Sequence, residues 1–135
     1  MRRSHTFSIQ IDRPVEAVYR FLADPINYPA WSAMRAEGYR RLDNGDWSGR
    51  TAFGPRHVRF TPPNGYGVLD HALFEPGGEV LMMPMRVVAN EAGTELTYTF
   101  FRRTGMDDAL FDSTLEWIHT DLMTLKTMLE ALGDR

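Results

Sequence analysis

Four histidines, His5, His57, His71 and His119, are the side chains of this sequence best able to exchange a proton near neutral pH. None stands two, three or four residues from another, so no local metal motif forms. Cysteine is absent. That removes disulfides, thiolate zinc sites, iron–sulfur clusters and a cysteine nucleophile together, and neither a metal nor another cofactor is expected. A hairpin folded through Pro62-Pro63-Asn64-Gly65 would bring His57 opposite Asp70 or His71. Beside Tyr66 or Tyr98, such a set would suit acid–base chemistry, an enolisation or a dehydration. Asp70, His71 and Tyr98 are then the catalytic candidates. The same residues facing outward would form a solvated polar surface. Tyr66, Val68, Asp70 and Ala72 share one face of their strand, and Gly67, Leu69, His71 and Leu73 the other. Which face is the inner one stays open.

Three strand arginines pose the same question. Arg56, Arg59 or Arg86 turned inward would pair with a ligand carboxylate; turned outward, it would meet Asp or Glu across the strands. Arg102-Arg103 is too short a basic patch for nucleic acid. The apolar candidates are clearer. Leu96, Tyr98 and Phe100 alternate on the last strand, and a hairpin at Asn90–Gly93 places Val87, Met85 and Met83 opposite them. Met83, Met85, Tyr98 and Phe100 are therefore expected on the inner wall of an apolar pocket, with Trp31, Phe53 and Tyr66 completing the ligand-binding set. Trp31 and Trp117 are candidates to bracket its mouth.

The elements that position these residues are legible from periodicity. Phe7, Ile9 and Ile11 alternate with Ser8, Gln10 and Asp12, the pattern of a half-buried strand. Val15, Val18, Phe21 and Leu22 follow Pro14 at helical spacing, and Asp24-Pro25 ends that helix. A second short helix is expected around Ile26 to Trp31. Six strands are then read at 34–42, 47–53, 56–61, 66–74, 79–89 and 94–103, each closed by Gly, Pro, Asn or Asp. From Met106 the period changes. Phe111, Leu115, Ile118, Leu122, Leu125 and Leu129 make one stripe on a helix predicted over 107–131, of roughly 25 residues or about 37 Å. Seven antiparallel strands accumulate twist, so the sheet is expected to curl around this one long helix.

Composition bounds the function. The 135 residues suit a single domain spanning 1–135, and 43% hydrophobic with 24% charged residues is ordinary for a globular protein. A net charge of −3 argues against a sequence-blind nucleic-acid binder. The start Met1-Arg2-Arg3-Ser4-His5 lacks the apolar stretch of a signal peptide, and the run from Val80 to Met85 is far short of a membrane span. The expected location is the cytoplasm, with no integral membrane contact.

The stretch Ile9-Gln10-Ile11-Asp12-Arg13-Pro14-Val15-Glu16-Ala17-Val18-Tyr19-Arg20-Phe21-Leu22-Ala23-Asp24-Pro25, with Tyr28-Pro29-Ala30-Trp31, resembles the opening of START-related, polyketide-cyclase/dehydrase-like and pollen-allergen-like proteins, the SRPBCC superfamily. The element order resembles theirs along the whole chain. The resemblance implies an α+β helix-grip fold: a seven-stranded curved antiparallel sheet around one long C-terminal helix, with two short helices between strands one and two. Members bind lipids, sterols, aromatic polyketides or plant hormones; some cyclise or dehydrate the ligand and some activate a chaperone. No shared catalytic motif carries over. The leading expectation is a carrier or sensor binding a small apolar or aromatic molecule. A metal-independent cyclase/dehydratase-like enzyme is the alternative, and a chaperone activator or assembly factor the third. A homodimer remains open.

Overall fold

The computed structural model describes residues 1–133 of the chain. Its order is β1 (Ser4–Ile11), α1 (Val15–Ala23), a 3-10 turn (Pro25–Asn27), α2 (Tyr28–Trp31), β2 (Arg40–Arg41), β3 (Trp47–Thr51), β4 (Gly54–Phe60), β5 (His71–Phe74), β6 (Met85–Asn90), β7 (Gly93–Phe101) and α3 (Asp108–Ala131). This is an antiparallel α+β architecture with a long C-terminal helix, consistent with a helix grip. No helix among the described residues is long and apolar enough to cross a membrane.

One expectation needs correcting. The seven strands form two sheets, β1-β7-β6 and β2-β3-β4-β5, rather than one continuous curved sheet. Among the described residues only the bridges Val68–Arg86 and His71–Met83 join them. The ladder breaks for local reasons. Pro84 has no N–H to donate. The Met85 N–H, a natural ladder donor, is taken by the Asp70 carboxylate at 2.8 Å. Gly67 adopts φ +72° against the Val87 carbonyl, where a Cβ would collide. The segment expected as a strand over 79–89 therefore becomes regular only at Met85.

Within the sheets the pairing follows local chemistry. The Asn90–Gly93 turn sets Val87 opposite Leu96 and Met85 opposite Tyr98, the expected register. The Pro62–Gly65 region does not make a tight hairpin. Thr61 and Asp70 close a wider loop, and the Asn64 side chain holds it through the N–H groups of Tyr66 and Val68. His71 consequently pairs with Phe60, and His57 with Phe74, so His57 never reaches Asp70 or His71.

Helix α3 begins at an Asp107 cap, whose carboxylate accepts the Leu110 N–H at 2.8 Å. Its stripe is buried at Phe111, Leu122, Leu125 and Leu129 but only partly at Leu115 and Ile118. The helix touches the core firmly at its ends and stands away from it between. Replacing Leu122, 1% exposed, by Ala should cost about 2–5 kcal/mol in chemical denaturation, the range for a buried leucine. A loss below about half a kcal/mol would mean that the stripe does not carry the core.

Candidate functional site

The space where α3 stands off is a cavity of about 290 Å³. Helix α3 supplies one wall through Leu110, Ser113, Thr114, Trp117, Ile118, Asp121 and Leu122. Tyr28, Trp31, Ser32 and Ala33 line the side formed by α2 and the residues after it. Thr51, Phe53 and Arg56 come from the β3–β4 hairpin, His71 and Leu73 from β5. Tyr98, Phe100, Arg103 and Met106 complete the wall at the end of β7 and the turn beyond it. Phe53, 67% exposed, and Trp117, 52% exposed, meet edge to face at 6.2 Å and stand at the mouth.

Among the residues singled out from sequence, Trp31, Phe53, Arg56, His71, Tyr98, Phe100 and Trp117 come together here. Tyr66, Met83, Met85 and Asp70 do not. Tyr66 is 86% exposed, because the loop held by Asn64 carries it outward. Met83 and Met85 are sealed in the core, not on the cavity wall. Asp70 faces away and forms a two-bonded ion pair with Arg86, Nε to Oδ1 and Nη2 to Oδ2, both at 3.0 Å. Burial works against its charge, but the bonds from Arg86 and the Met85 N–H hold its carboxyl below the ordinary value. Its carboxylate is thus engaged by Arg86 and the Met85 N–H, off the cavity wall.

The polar groups at the cavity are different. His71 is buried, and that burial holds its imidazole below the usual value, hence neutral. Its Nδ1 lies 3.1 Å from the Leu69 carbonyl, which can only accept; Nδ1 therefore carries the proton and Nε2 the free lone pair. The ring sits 5.6 Å from Tyr98, 5.7 Å from Tyr28, 6.2 Å from Phe60 and 6.4 Å from Trp31. Burial raises both tyrosine hydroxyls above the ordinary phenol range. Among the described residues no sealed side-chain nitrogen or oxygen lacks a hydrogen bond. His71 Nε2 and the Tyr98 hydroxyl thus open on the cavity they line. Asp121 is the one carboxyl on this wall among the described residues, and burial pushes it up to about 6.

Sequence reasoning missed Asp121, Arg103 and Tyr28 as site residues. A signal existed for the first: Asp121 lies three residues after Ile118 and four before Leu125, a carboxyl beside an apolar stripe. Arg103 had none. Its inward position comes from the turn after β7, where the Met106 N–H donates to the Arg103 carbonyl.

Neither a protein-family model nor a curated protein sequence matches the chain. Solved structures do. The protein XoxI from Bacillus cereus is similar with a TM-score of 0.75 at 12% identity, covering 96% of this chain and 96% of that one. The Aha1 dimer from Colwellia psychrerythraea gives 0.72 at 14% identity over 95% of this chain and 96% of that one. Ara h 8.0201 gives 0.62 at 11% identity over 96% and 99%. At such identities the likeness establishes the fold alone, and it supports the helix-grip assignment.

The raised Asp121 carboxyl makes stability depend on pH. Unfolded, it titrates at roughly 4; folded, at about 6. The native state binds more protons between those values, so this residue's contribution to stability is lost as pH rises through the window. Asp121→Asn should therefore raise the denaturation midpoint at pH 8 more than at pH 4. An equal effect at both would contradict a desolvated Asp121.

Proposed function

We propose that this protein binds a small apolar or aromatic molecule between its sheets and α3, as a carrier or sensor. The observation that carries this reading is the cavity itself, about 290 Å³ with Trp31, Tyr98 and Phe100 along its wall and Phe53 and Trp117 at its entrance. That volume stands at the low end of the roughly 300–1,000 Å³ of small-molecule sites and suits one or two fused rings. Aromatic walls provide dispersion and edge contacts at little cost in rotamer entropy. An interaction protein would instead need a large exposed apolar patch and no cavity, so the cavity favours binding.

A neutral naphthalene dye such as prodan should bind the native protein with micromolar affinity, with a blue-shifted emission. Ile118→Trp puts bulk directly into the cavity and should weaken the dye by about tenfold or more while the domain stays folded. Met85→Trp would instead overpack the core, because Met85 is sealed inside it. Equal binding to wild type and Ile118→Trp would remove the physical basis of this function.

One observation favours acid–base catalysis as a second reading. A neutral His71 with its lone pair on Nε2 sits beside Tyr98 and Tyr28 in a site able to exclude water. His71 would act as base and a tyrosine hydroxyl as hydrogen-bond donor to the oxygen of a carbonyl substrate. A bound ring-fused ketone such as 2-tetralone should then exchange its α-protons for deuterium faster than in buffer. His71→Gln should abolish that gain while prodan still binds. Exchange no faster than in buffer leaves binding as the activity.

A further inference from the structure

Several arginines of this protein, the outward Arg59 and Arg86 and the partly buried Arg102 and Arg13 among them, have a partner. Arg59 meets Asp46 through two bonds of 2.9 and 3.0 Å, and Arg86 meets Asp70 in the same way. Arg102 reaches Asp108 at 2.7 Å and the Met106 carbonyl at 2.6 Å. Arg13 donates to the Leu129 carbonyl at 2.9 Å. Arg103 stands apart. It is the one partly buried arginine that makes no side-chain hydrogen bond or ion pair among the described residues, and it lines the cavity. Its guanidinium lies 5.8 Å from the centre of the Phe100 ring. A cation–π contact of that length is a weak return for taking a guanidinium out of water.

Arg56, on the same wall, adds a second cation. Its side chain is 16% exposed, and its carboxylate neighbour, Glu75, is 3.7 Å away and largely in solvent. The carboxylates that might neutralise Arg103 form no ion pair with it among the described residues. Glu79 is held by Arg2 and Thr104. Asp121 faces the same cavity but forms no ion pair among the described residues; raised to about 6, it is mostly ionised at pH 7.5 and is the one negative charge on that wall. Burial is the largest influence on Arg103 and opposes its charge, as Arg56 does, while Tyr98, Tyr28 and Glu79 act the other way. The cavity thus combines a mainly aromatic wall with two cations, of which Arg103 has no ion pair among the described residues, against the single carboxyl of Asp121.

Resting on the binding function above, we propose that the ligand is an organic acid: an aromatic or compact apolar body carrying one carboxylate. The carboxylate sits on Arg103, with Arg56 beside it, and the body lies along Phe100, Tyr98 and Trp31. A guanidinium presents parallel N–H donors that match a planar carboxylate, and such charge-assisted pairs are strong where water is excluded. Tyr98 and His71, whose free polar atoms open on the cavity, are placed to accept or donate to a further oxygen on the ligand.

The test is a matched pair of ligands, 2-naphthoic acid and 2-naphthamide, titrated by calorimetry at pH 7.5. The two share a shape and differ in charge. Wild type should bind the acid at least about tenfold more tightly than the amide, and Arg103→Gln should cut acid affinity by about ten- to a hundredfold with the amide unchanged. Arg56→Gln should give a smaller loss for the acid alone. Arg50→Gln, an exposed charge on β3 away from the cavity, should change neither. The acid–amide comparison in wild type needs no variant, so a poorly folded Arg103→Gln would not shield the proposal. Amide binding as tight as acid binding, or equal weakening of both by Arg103→Gln, overturns the organic-acid assignment; if prodan still binds, the apolar cavity function stands. Failure of prodan, acid and amide alike overturns both.

Discussion

One helix has to cover the inner faces of two sheets, and the rest of the structure depends on how it does so. Helix α3 is anchored near its start by Phe111, whose ring lies 5.7 Å from that of Phe100, and towards its end by Leu122, Leu125 and Leu129. Between these anchors Leu115 and Ile118 are only partly covered. The sheets cannot close on the middle of the helix because they are not one surface. Where β5 should hand over to β6, Pro84 withholds a donor and Asp70 takes the Met85 N–H. The cavity is lined from both of the sheets that this break separates.

The same break sorts the charges. Asp70 is committed on its outer side to Arg86 and to a backbone amide, which leaves its neighbour His71 facing inward by strand alternation. Asp46 does for Arg59 on β4 what Asp70 does for Arg86 on β6. These paired arginines face outward. Arg56, three residues before Arg59 and offset by one on the pleat, turns to the cavity instead. Paired charges therefore lie on the outer faces, while Arg103 and Asp121 stand on the inner wall with no side-chain hydrogen bond or ion pair among the described residues. A structural role accounts for the first group more readily than for the second, because unpaired ionisable groups withdrawn from water oppose folding.

Much of the fold was readable in the sequence because its signals are local. The alternation of Phe7, Ile9 and Ile11 depends only on β1, the Phe111–Leu129 stripe only on α3, and the 85–98 register only on the short turn at Asn90–Gly93. Tyr98 and Phe100 could be placed on the inner side for that reason. What the sequence did not determine lies where a residue's position depends on a distant partner. The parity of 66–74 was decided by a wide loop held by Asn64 and by bridges to Met83 and Arg86, not by a tight hairpin; this moved His57 away from His71 and sent Tyr66 outward. Met83 and Met85 had the right face but lie where the core is solid. Arg103 enters the cavity through a turn that resets the alternation of β7, and Asp121 acquires its altered acidity only from the walls that bury it. Period and turn chemistry are properties of neighbouring residues; a cavity, and the charge state of what lines it, belong to surfaces that meet only in three dimensions.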